Sequence, residues 1–172
     1  MQNNNIVDHF CDHGNAYTSK AAYYVALFNA TKIFEWIDTL FLVLRKKKII
    51  FLHWFHHILT YLYCWHATHF NYRSDASGFW FAGMNLFVHA IMYTYYALTS
   101  FGIKLPINIL ITFIQTLQMF IGIIILIFCI NSCDDSWERN WHGHLIAGFM
   151  YFCYLILFTQ IFISKYCKNK KD

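Results

Sequence analysis

Long apolar stretches alternate with short polar ones along the chain, and five of the apolar stretches have about twenty residues or more. As α-helices rising about 1.5 Å per residue, they are long enough to cross roughly 30 Å of hydrocarbon. The pattern predicts helices at about 21–44, 49–70, 79–99, 107–130 and 145–164. We therefore predict an all-α fold, a polytopic membrane helix bundle with five transmembrane helices, in a single domain over residues 1–172.

Composition supports a membrane environment. The chain has 172 residues, of which 58% are hydrophobic and only 13% are charged, about half the charged fraction typical of soluble domains. No cleavable signal is evident in the polar first twenty residues. The net charge of +4 is small and scattered, so we expect the lipid bilayer and no nucleic acid as a partner.

Positive charges fall mainly on one side of the predicted membrane. Arg45–Lys48, Lys104 and the C-terminal residues contribute nine Lys and Arg to that side, against three on the other. The positive-inside rule then predicts a cytosolic C-terminus and an N-terminus on the far side. The tail at 168–172 resembles a dilysine retrieval signal, which favours the endoplasmic reticulum; a plain positively charged flank is the alternative.

This topology leads to a prediction for two of the six cysteines. Cys11 and Cys133 both lie in far-side segments, in a compartment that permits disulfides, so we expect them to pair. Two free thiols are the alternative. The remaining cysteines lie in apolar helices or at the cytosolic end, and no CxxC spacing indicates a metal ribbon.

The second helix begins with FLHWFHH (51–57), which places three imidazoles on one stripe. Offsets of three and four residues share a helix face, so His53, His56 and His57 point the same way. Imidazoles within an apolar helix are costly unless partners or chemistry use them. We expect the stripe to face the protein interior.

Three other helices place polar residues at helical spacing. These are Lys32, Glu35 and Asp38 in the first helix, Asn85, His89, Tyr93 and Tyr96 in the third, and Thr112, Gln115 and Gln118 in the fourth. Counted by helical rise, the groups of all four helices lie about 6 to 15 Å from the cytosolic surface. We predict one polar chamber reached from the cytosol, with a Lys32–Glu35 ion pair; polar groups that only fix helix packing are the alternative.

The histidines outside this layer are expected at the surface. They are His9, His13, His66, His69, His142 and His144.

Histidines beside carboxylates, a lysine and amides indicate acid–base or acyl-transfer chemistry. HxxHH boxes also bind two irons in membrane desaturases and hydroxylases. His53, His56, His57 and His89 are too few for that site without carboxylate replacements, so a di-iron enzyme is the less favoured alternative. We expect no metal and no cofactor.

Five motifs occur in the order and spacing of the very-long-chain fatty acid elongase (ELO) family. They are KIFEWIDT (32–39), LRKK (44–47), FLHWFHH (51–57), VHAIMYTYY (88–96) and TFIQTLQ (112–118). The chain resembles that family, the 3-ketoacyl-CoA synthases of microsomal fatty acid elongation, from about Cys11 onward. The HWFHH variant, with Trp54, is similar to the branch that elongates saturated and monounsaturated acyl chains.

The resemblance implies an acyltransferase that joins acyl-CoA to malonyl-CoA and releases CoA and carbon dioxide. His56 is then the expected nucleophile, tuned by His57 and His53, because an imidazole can accept an acyl group from a thioester. Asn85 and His89 are expected to polarise the thioester carbonyl or stabilise the enolate. The expected supporting groups are Glu35 and Asp38 to orient the histidines, Lys32 to balance charge, and Tyr93, Tyr96, Gln115 and Gln118 at the substrate.

The family's architecture and setting add further expectations. The family resembles a seven-helix protein with six helices around a substrate tunnel; the five helices predicted here correspond to the last five, which would leave one wall open. Trp65, Phe81, Phe113 and Phe149 either shape the tunnel or simply pack. Expected partners are a 3-ketoacyl-CoA reductase, a dehydratase and an enoyl reductase, with a homodimer left open. An inactive scaffold of the elongation complex is the alternative function.

Overall fold

A computed structural model describes residues 10–11, 20–69, 77–103, 105–133 and 136–167. Its long elements are five helices: α1 (Lys20–Leu44), α2 (Phe51–His69), α3 (Ser77–Ser100), α4 (Asn108–Ser132) and α5 (Ser136–Phe162), the last followed by a π-helical turn (Ile163–Cys167). No strand occurs in the described ranges. The prediction of an all-α chain with five long helices is therefore confirmed.

One predicted boundary is wrong. α5 begins at Ser136, whereas the hydropathy pattern placed its start near residue 145. The intervening residues are polar, so they do not extend the apolar stretch. They do include a signal for a helix start, because serine, the residue type at position 136, is favoured at helix N-termini.

The helices divide their surface between an apolar outside and a partly polar inside. α4 and α5 are long and apolar enough by composition alone to cross a membrane. α1 and α3 contain buried polar residues such as Lys32 and Asn85, while their exposed residues include Phe34, Leu40 and Phe87. Since lipid favours an apolar exterior, the pattern is that of a polytopic membrane bundle.

The five helices close into a ring in the order α1–α2–α5–α4–α3. The most extensive contact joins α4 to α5, where Met119 and Ala147 are buried in the main core. The least extensive of these contacts joins α1 to α3 through Phe28 and Ala82. This contact shows that α1 and α3 touch, and the open wall stays a prediction.

The end of the bundle at which α1 and α3 finish is rich in positive charge, and we call it the basic end. α1 stops in a Schellman motif, in which Lys47 N–H donates to Leu42 O at 3.0 Å and Lys46 N–H donates to Val43 O at 2.9 Å. Lys46 occupies the left-handed position with φ of 52°, where glycine is usual. The exposed residues Arg45–Lys48 follow at this end.

The opposite end, the disulfide end, contains the predicted bond between Cys11 and Cys133. The residue before Cys11 also packs on the bundle. The Phe10 ring stacks on Trp80 of α3 at 4.8 Å between centroids and meets Phe128 of α4 at 5.1 Å. These contacts attach the N-terminal segment to the ends of two helices.

Candidate active site

A buried ion pair lies in the interior between α1 and α3. Lys32 is 3% exposed, and its Nζ donates to Glu35 Oε1 at 2.7 Å and to Asn85 Oδ1 at 2.5 Å. The predicted Lys32–Glu35 pair is confirmed. Two acceptors for one ammonium group explain how a lysine can be buried at this depth, since an unpaired charge would be far more costly.

The same contacts fix the tautomer of His89. Because an ammonium group only donates hydrogen bonds, the Asn85 oxygen must face Lys32, and Asn85 Nδ2 then lies 3.4 Å from His89 Nε2. His89 Nε2 is therefore the acceptor. A neutral His89 carries its proton on Nδ1, which lies 3.3 Å from Glu35 Oε1. The lysine thus orients the amide, and the amide orients the imidazole.

The three histidines of α2 face the interior, as the stripe predicted. His56 is buried, and its ring centroid lies 5.5 Å from that of His57 and 6.1 Å from that of His89. His53 and His57 are half-buried with centroids 4.5 Å apart. Thr39 Oγ1 lies 3.0 Å from His53 Nε2 and holds that ring. Four imidazoles therefore share one site.

Two buried ring nitrogens of this site lack a hydrogen bond to the described part of the chain. They are Nδ1 of His57 and Nδ1 of His89. Both lie near Glu35, at 3.7 and 3.3 Å from its oxygens, but outside hydrogen-bond geometry. Because buried polar atoms generally need compensation, these two nitrogens depend on the neighbouring Glu35 carboxylate for it.

Tyr154 of α5 completes the surroundings of His56. Its hydroxyl donates to the backbone oxygen of His56 at 3.1 Å and lies 2.9 Å from Thr60 Oγ1. The ring centroids of Tyr154 and His56 are 4.9 Å apart. Tyr154 was not among the residues predicted from the sequence, because none of the predicted site residues came from α5, although a tyrosine hydroxyl in an apolar helix usually has a partner.

Two cavities meet at this site. The basic-end cavity measures about 620 Å³. It is lined by Asp38, His53, His57, His89 and Gln115, with Arg45 and Lys165 at its rim. The disulfide-end cavity measures about 180 Å³ and includes Phe28, Phe81, Met119, Met150 and Tyr151 with a few polar residues. Of the residues that the structure describes, His56 alone lines both cavities.

The prediction of one polar chamber needs correction. Asn85 and Gln118 line the disulfide-end cavity, whereas His89 and Gln115 line the basic-end cavity. Residues three and four apart are separated by about 4.5 to 6 Å along the helix axis, and the polar site lies at a depth between them. Gln115 donates to the sulfur of Met92 at 3.2 Å, and Gln118 is buried.

The supporting residues divide in a way the sequence did not show. Lys32 and Glu35 line neither of these cavities and instead contact residues that do. Asp38 accepts a hydrogen bond from the Tyr93 hydroxyl at 2.6 Å rather than orienting a histidine directly. Both Asp38 and Tyr93 line the basic-end cavity, and Tyr96 stands at its edge, 53% exposed.

Several outer residues differ from expectation. His144 is buried, so its prediction as a surface residue is wrong; His142 is exposed as predicted, and His66 is half-buried. Of the four aromatic candidates, Phe81 lines the disulfide-end cavity, whereas Trp65, Phe113 and Phe149 are exposed on the outside. His9, His13, Lys104, the side chain of His69 and the tail at 168–172 lie outside the described residues.

The described ranges contain no group of three or more His, Cys, Asp or Glu placed to hold a metal ion. These ranges do contain four histidines, one buried ion pair and side-chain amides, and this site lies at the junction of a polar and an apolar cavity. Such a site suits transfer chemistry on a molecule with a polar head and an apolar tail.

The class defined by fold and site is thus a helical membrane protein with a buried histidine site between two cavities. The chain belongs to the GNS1/SUR4 (ELO) family, whose sequence profile matches residues 1–172. Similar proteins include very long chain fatty acid elongase 6 of Homo sapiens, 37% identical over 161 residues, which are 91% of this chain and 59% of that protein.

Other relatives agree in name. Very long chain fatty acid elongase 4 of Trypanosoma cruzi is 37% identical over 169 residues, covering 92% of this chain and 58% of the relative. Putative fatty acid elongase 3 of Caenorhabditis elegans is 38% identical over 162 residues, covering 91% and 49%. The chain spans about half the length of the curated relatives it matches. No solved structure matches it.

Proposed function

We propose that the chain is a condensing enzyme of fatty acid elongation. It joins a saturated or monounsaturated long-chain acyl-CoA to malonyl-CoA and forms 3-ketoacyl-CoA, CoA and carbon dioxide. The observation that carries this proposal is the position of His56 at the junction of an apolar and a polar cavity. The names of the relatives support fatty acid elongation in general.

In the first half of the reaction, the acyl chain occupies the disulfide-end cavity and its CoA moiety occupies the basic-end cavity. A nitrogen of His56 attacks the thioester carbon, the carbon–sulfur bond breaks, and CoA leaves as the thiol with the imidazole proton. The product of this step is an acyl-imidazole. Arg45 and Lys165 at the rim of the basic-end cavity offer positive charge to the CoA phosphates.

In the second half, malonyl-CoA takes the place of CoA in the basic-end cavity. Loss of carbon dioxide gives an enolate, whose carbon attacks the acyl-imidazole. The new carbon–carbon bond forms as the carbon–nitrogen bond breaks, and the released His56 nitrogen takes up one proton from water. The imidazoles of His57 and His89 line the basic-end cavity and are our candidates for stabilising the enolate oxygen. This restores His56 and yields 3-ketoacyl-CoA.

The buried ion pair serves this chemistry indirectly. Lys32 holds the Asn85 amide, which directs Nδ2 at His89 and keeps the proton on His89 Nδ1. Glu35 approaches both His57 and His89. We assign Lys32 and Glu35 as positioning residues, since their contacts act through groups that line the cavities.

The setting follows from the substrates. We propose an endoplasmic reticulum membrane with the basic end and C-terminus on the cytosolic side, where CoA esters are made available. The 3-ketoacyl product requires a reductase, a dehydratase and an enoyl reductase to become a saturated acyl chain, so these are the proposed partners. A homodimer is compatible with this arrangement.

A condensation assay tests the proposal. Purified protein receives hexadecanoyl-CoA and labelled malonyl-CoA, and His56→Ala is compared with His142→Ala, a control at an exposed histidine. We expect labelled 3-ketoacyl product from wild type and His142→Ala, and at least about a thousandfold less from His56→Ala. A polyunsaturated acyl-CoA should be a poorer substrate. No product from folded wild type would instead indicate an inactive scaffold or a part of a longer enzyme.

A further inference from the structure

Gly122 of α4 lies directly beneath an aromatic side chain of α5. A Cβ atom added at this glycine would lie 2.4 Å from Tyr151 Cε1 and 2.9 Å from Cζ, well inside ordinary carbon–carbon contact of about 3.5–4.0 Å. Tyr151 is 4% exposed, so its phenol has no open exterior space. The absence of a side chain at position 122 therefore permits this position of the phenol.

The phenol of Tyr151 lies on the inner side of α4. It touches Phe81 of α3, with ring centroids 4.7 Å apart, although α4 stands between α3 and α5 in the ring of helices. The two aromatic side chains therefore meet in front of α4. Both of them line the disulfide-end cavity.

The height of Tyr151 places it close to the reacting carbon of the proposed chemistry. It precedes Tyr154, whose ring contacts His56, by three residues, or about 4.5 Å towards the disulfide end. Phe28 and Cys64 line the same cavity from α1 and α2. A chain that starts at His56 and enters the disulfide-end cavity must pass Tyr151 within its first few carbons.

We propose that Gly122 is a specificity-determining residue, because it lets the Tyr151 phenol lie back against α4 and keeps this passage open to an unbranched acyl chain. The proposal rests on the proposed function for the identity of the occupant. A methyl group at position 122 would displace the phenol from α4 by about 1 Å or more. Displacement away from α4 carries the phenol into the passage.

The test measures binding, so that it does not depend on turnover. The probes are S-alkyl-CoA thioethers, hexyl to octadecyl, which have no carbonyl to attack. For wild type we expect affinity to rise by up to roughly fourfold per added methylene while the cavity fills. For Gly122→Ala we expect the rise to stop after the shortest probes, because carbons beyond Tyr151 no longer enter.

Two further variants isolate the contact. Gly83→Ala adds the same methyl to an exposed glycine with nothing within 4 Å, and it should follow the wild-type dependence on chain length. Gly122→Ala combined with Tyr151→Ala should regain a rise with chain length, because the displaced ring is gone. The same dependence for Gly122→Ala and wild type, or no dependence in wild type, would overturn the proposal.

A second comparison covers the case in which Gly122→Ala does not fold. Tyr151→Ala alone removes the phenol and should admit a thioether with a methyl branch near the sulfur, which wild type should bind at least about tenfold more weakly than the linear probe. Equal discrimination by both proteins would overturn the proposal. Failure of the condensation assay with normal thioether binding would count against the proposed function alone.

Discussion

The two cavities are built by the same five helices but differ in chemistry. The basic-end cavity has four imidazoles, a carboxylate and two cationic side chains, whereas the disulfide-end cavity is walled mainly by aromatic, sulfur-containing and small residues. α2 shows the change along one face. It runs from His53 and His56 through Thr60 and Cys64 to Ala67. A single helix stripe can thus serve a polar head and an apolar tail in sequence.

The region between the two cavities, which we call the border, contains buried charged and polar side chains that need partners. Lys32, Glu35, Asn85 and His89 are all buried there and bound to one another. A charge in that position is stable only while its partners remain. The following substitutions compare the effects on stability and CoA binding of changes at the border and at the two ends of the bundle, beginning with the largest expected effect.

Removing the lysine of the border should cost the most stability. Lys32→Met leaves Glu35, whose side chain is 10% exposed, as an uncompensated buried charge, and we expect a loss of about 3 to 5 kcal/mol. Unfolding in detergent would measure it, with Lys48→Met at the exposed basic end as the control. Adding Glu35→Gln should recover part of the loss. If Lys32→Met lost no more stability than the control, the Lys32–Glu35 pair would not be what stabilises the border.

The disulfide end should depend on its covalent bond. Replacing Cys11 and Cys133 together by serine opens a loop with a sequence separation of 122, and we expect a loss of about 2 to 4 kcal/mol. Cys167→Ser, at an exposed free thiol, is the control. Unfolding with and without reductant provides the measurement. If reduction also weakened CoA binding at the basic end, the two ends would not be independent.

Tyr154→Phe tests the contact that joins α5 to His56. The change removes the hydroxyl that donates to the His56 backbone oxygen and contacts Thr60, so we expect a loss of about 1 kcal/mol. Tyr24→Phe on the exposed face of α1 should change nothing measurable. Unfolding transitions of the two variants, compared in the same detergent, decide the matter. Equal stability of Tyr154→Phe and wild type would exclude this contact as a support.

The smallest effect concerns the rim of the basic-end cavity. Lys165→Met removes one exposed positive charge from the cavity, and we expect CoA to bind about two- to fivefold more weakly at low salt. Added salt should reduce the difference. Lys48→Met, at the same end but outside this cavity lining, is the matched control. Identical weakening by both changes would indicate a diffuse charge effect.

Much of this site was accessible from the sequence because polar residues in apolar helices stand out. The Lys32–Glu35 pair, the inward stripe of His53, His56 and His57, and the Cys11–Cys133 bond all follow from spacing or topology. The separation of Gln115 from Gln118 into two cavities did not, because spacing gives a helix face but not the depth at which neighbouring helices close.

Other features required the packed structure. Tyr154 reaches His56 across a contact between α2 and α5, which no local pattern encodes. His144 was predicted at the surface because histidine is polar, yet it is buried. The place of Gly122 beneath Tyr151 depends on how closely α4 and α5 approach. Sequence patterns describe one helix at a time, whereas these features belong to pairs of helices.

The central claim is that His56, at the junction of the two cavities, accepts the acyl group. The most direct measurement is the release of free CoA from hexadecanoyl-CoA in the absence of malonyl-CoA. We predict a rapid burst of one CoA per wild-type protein, an acyl mass increment on the peptide that contains His56, and no burst from His56→Ala. A burst of the same size from His56→Ala, or no CoA release until malonyl-CoA is added, would contradict the account.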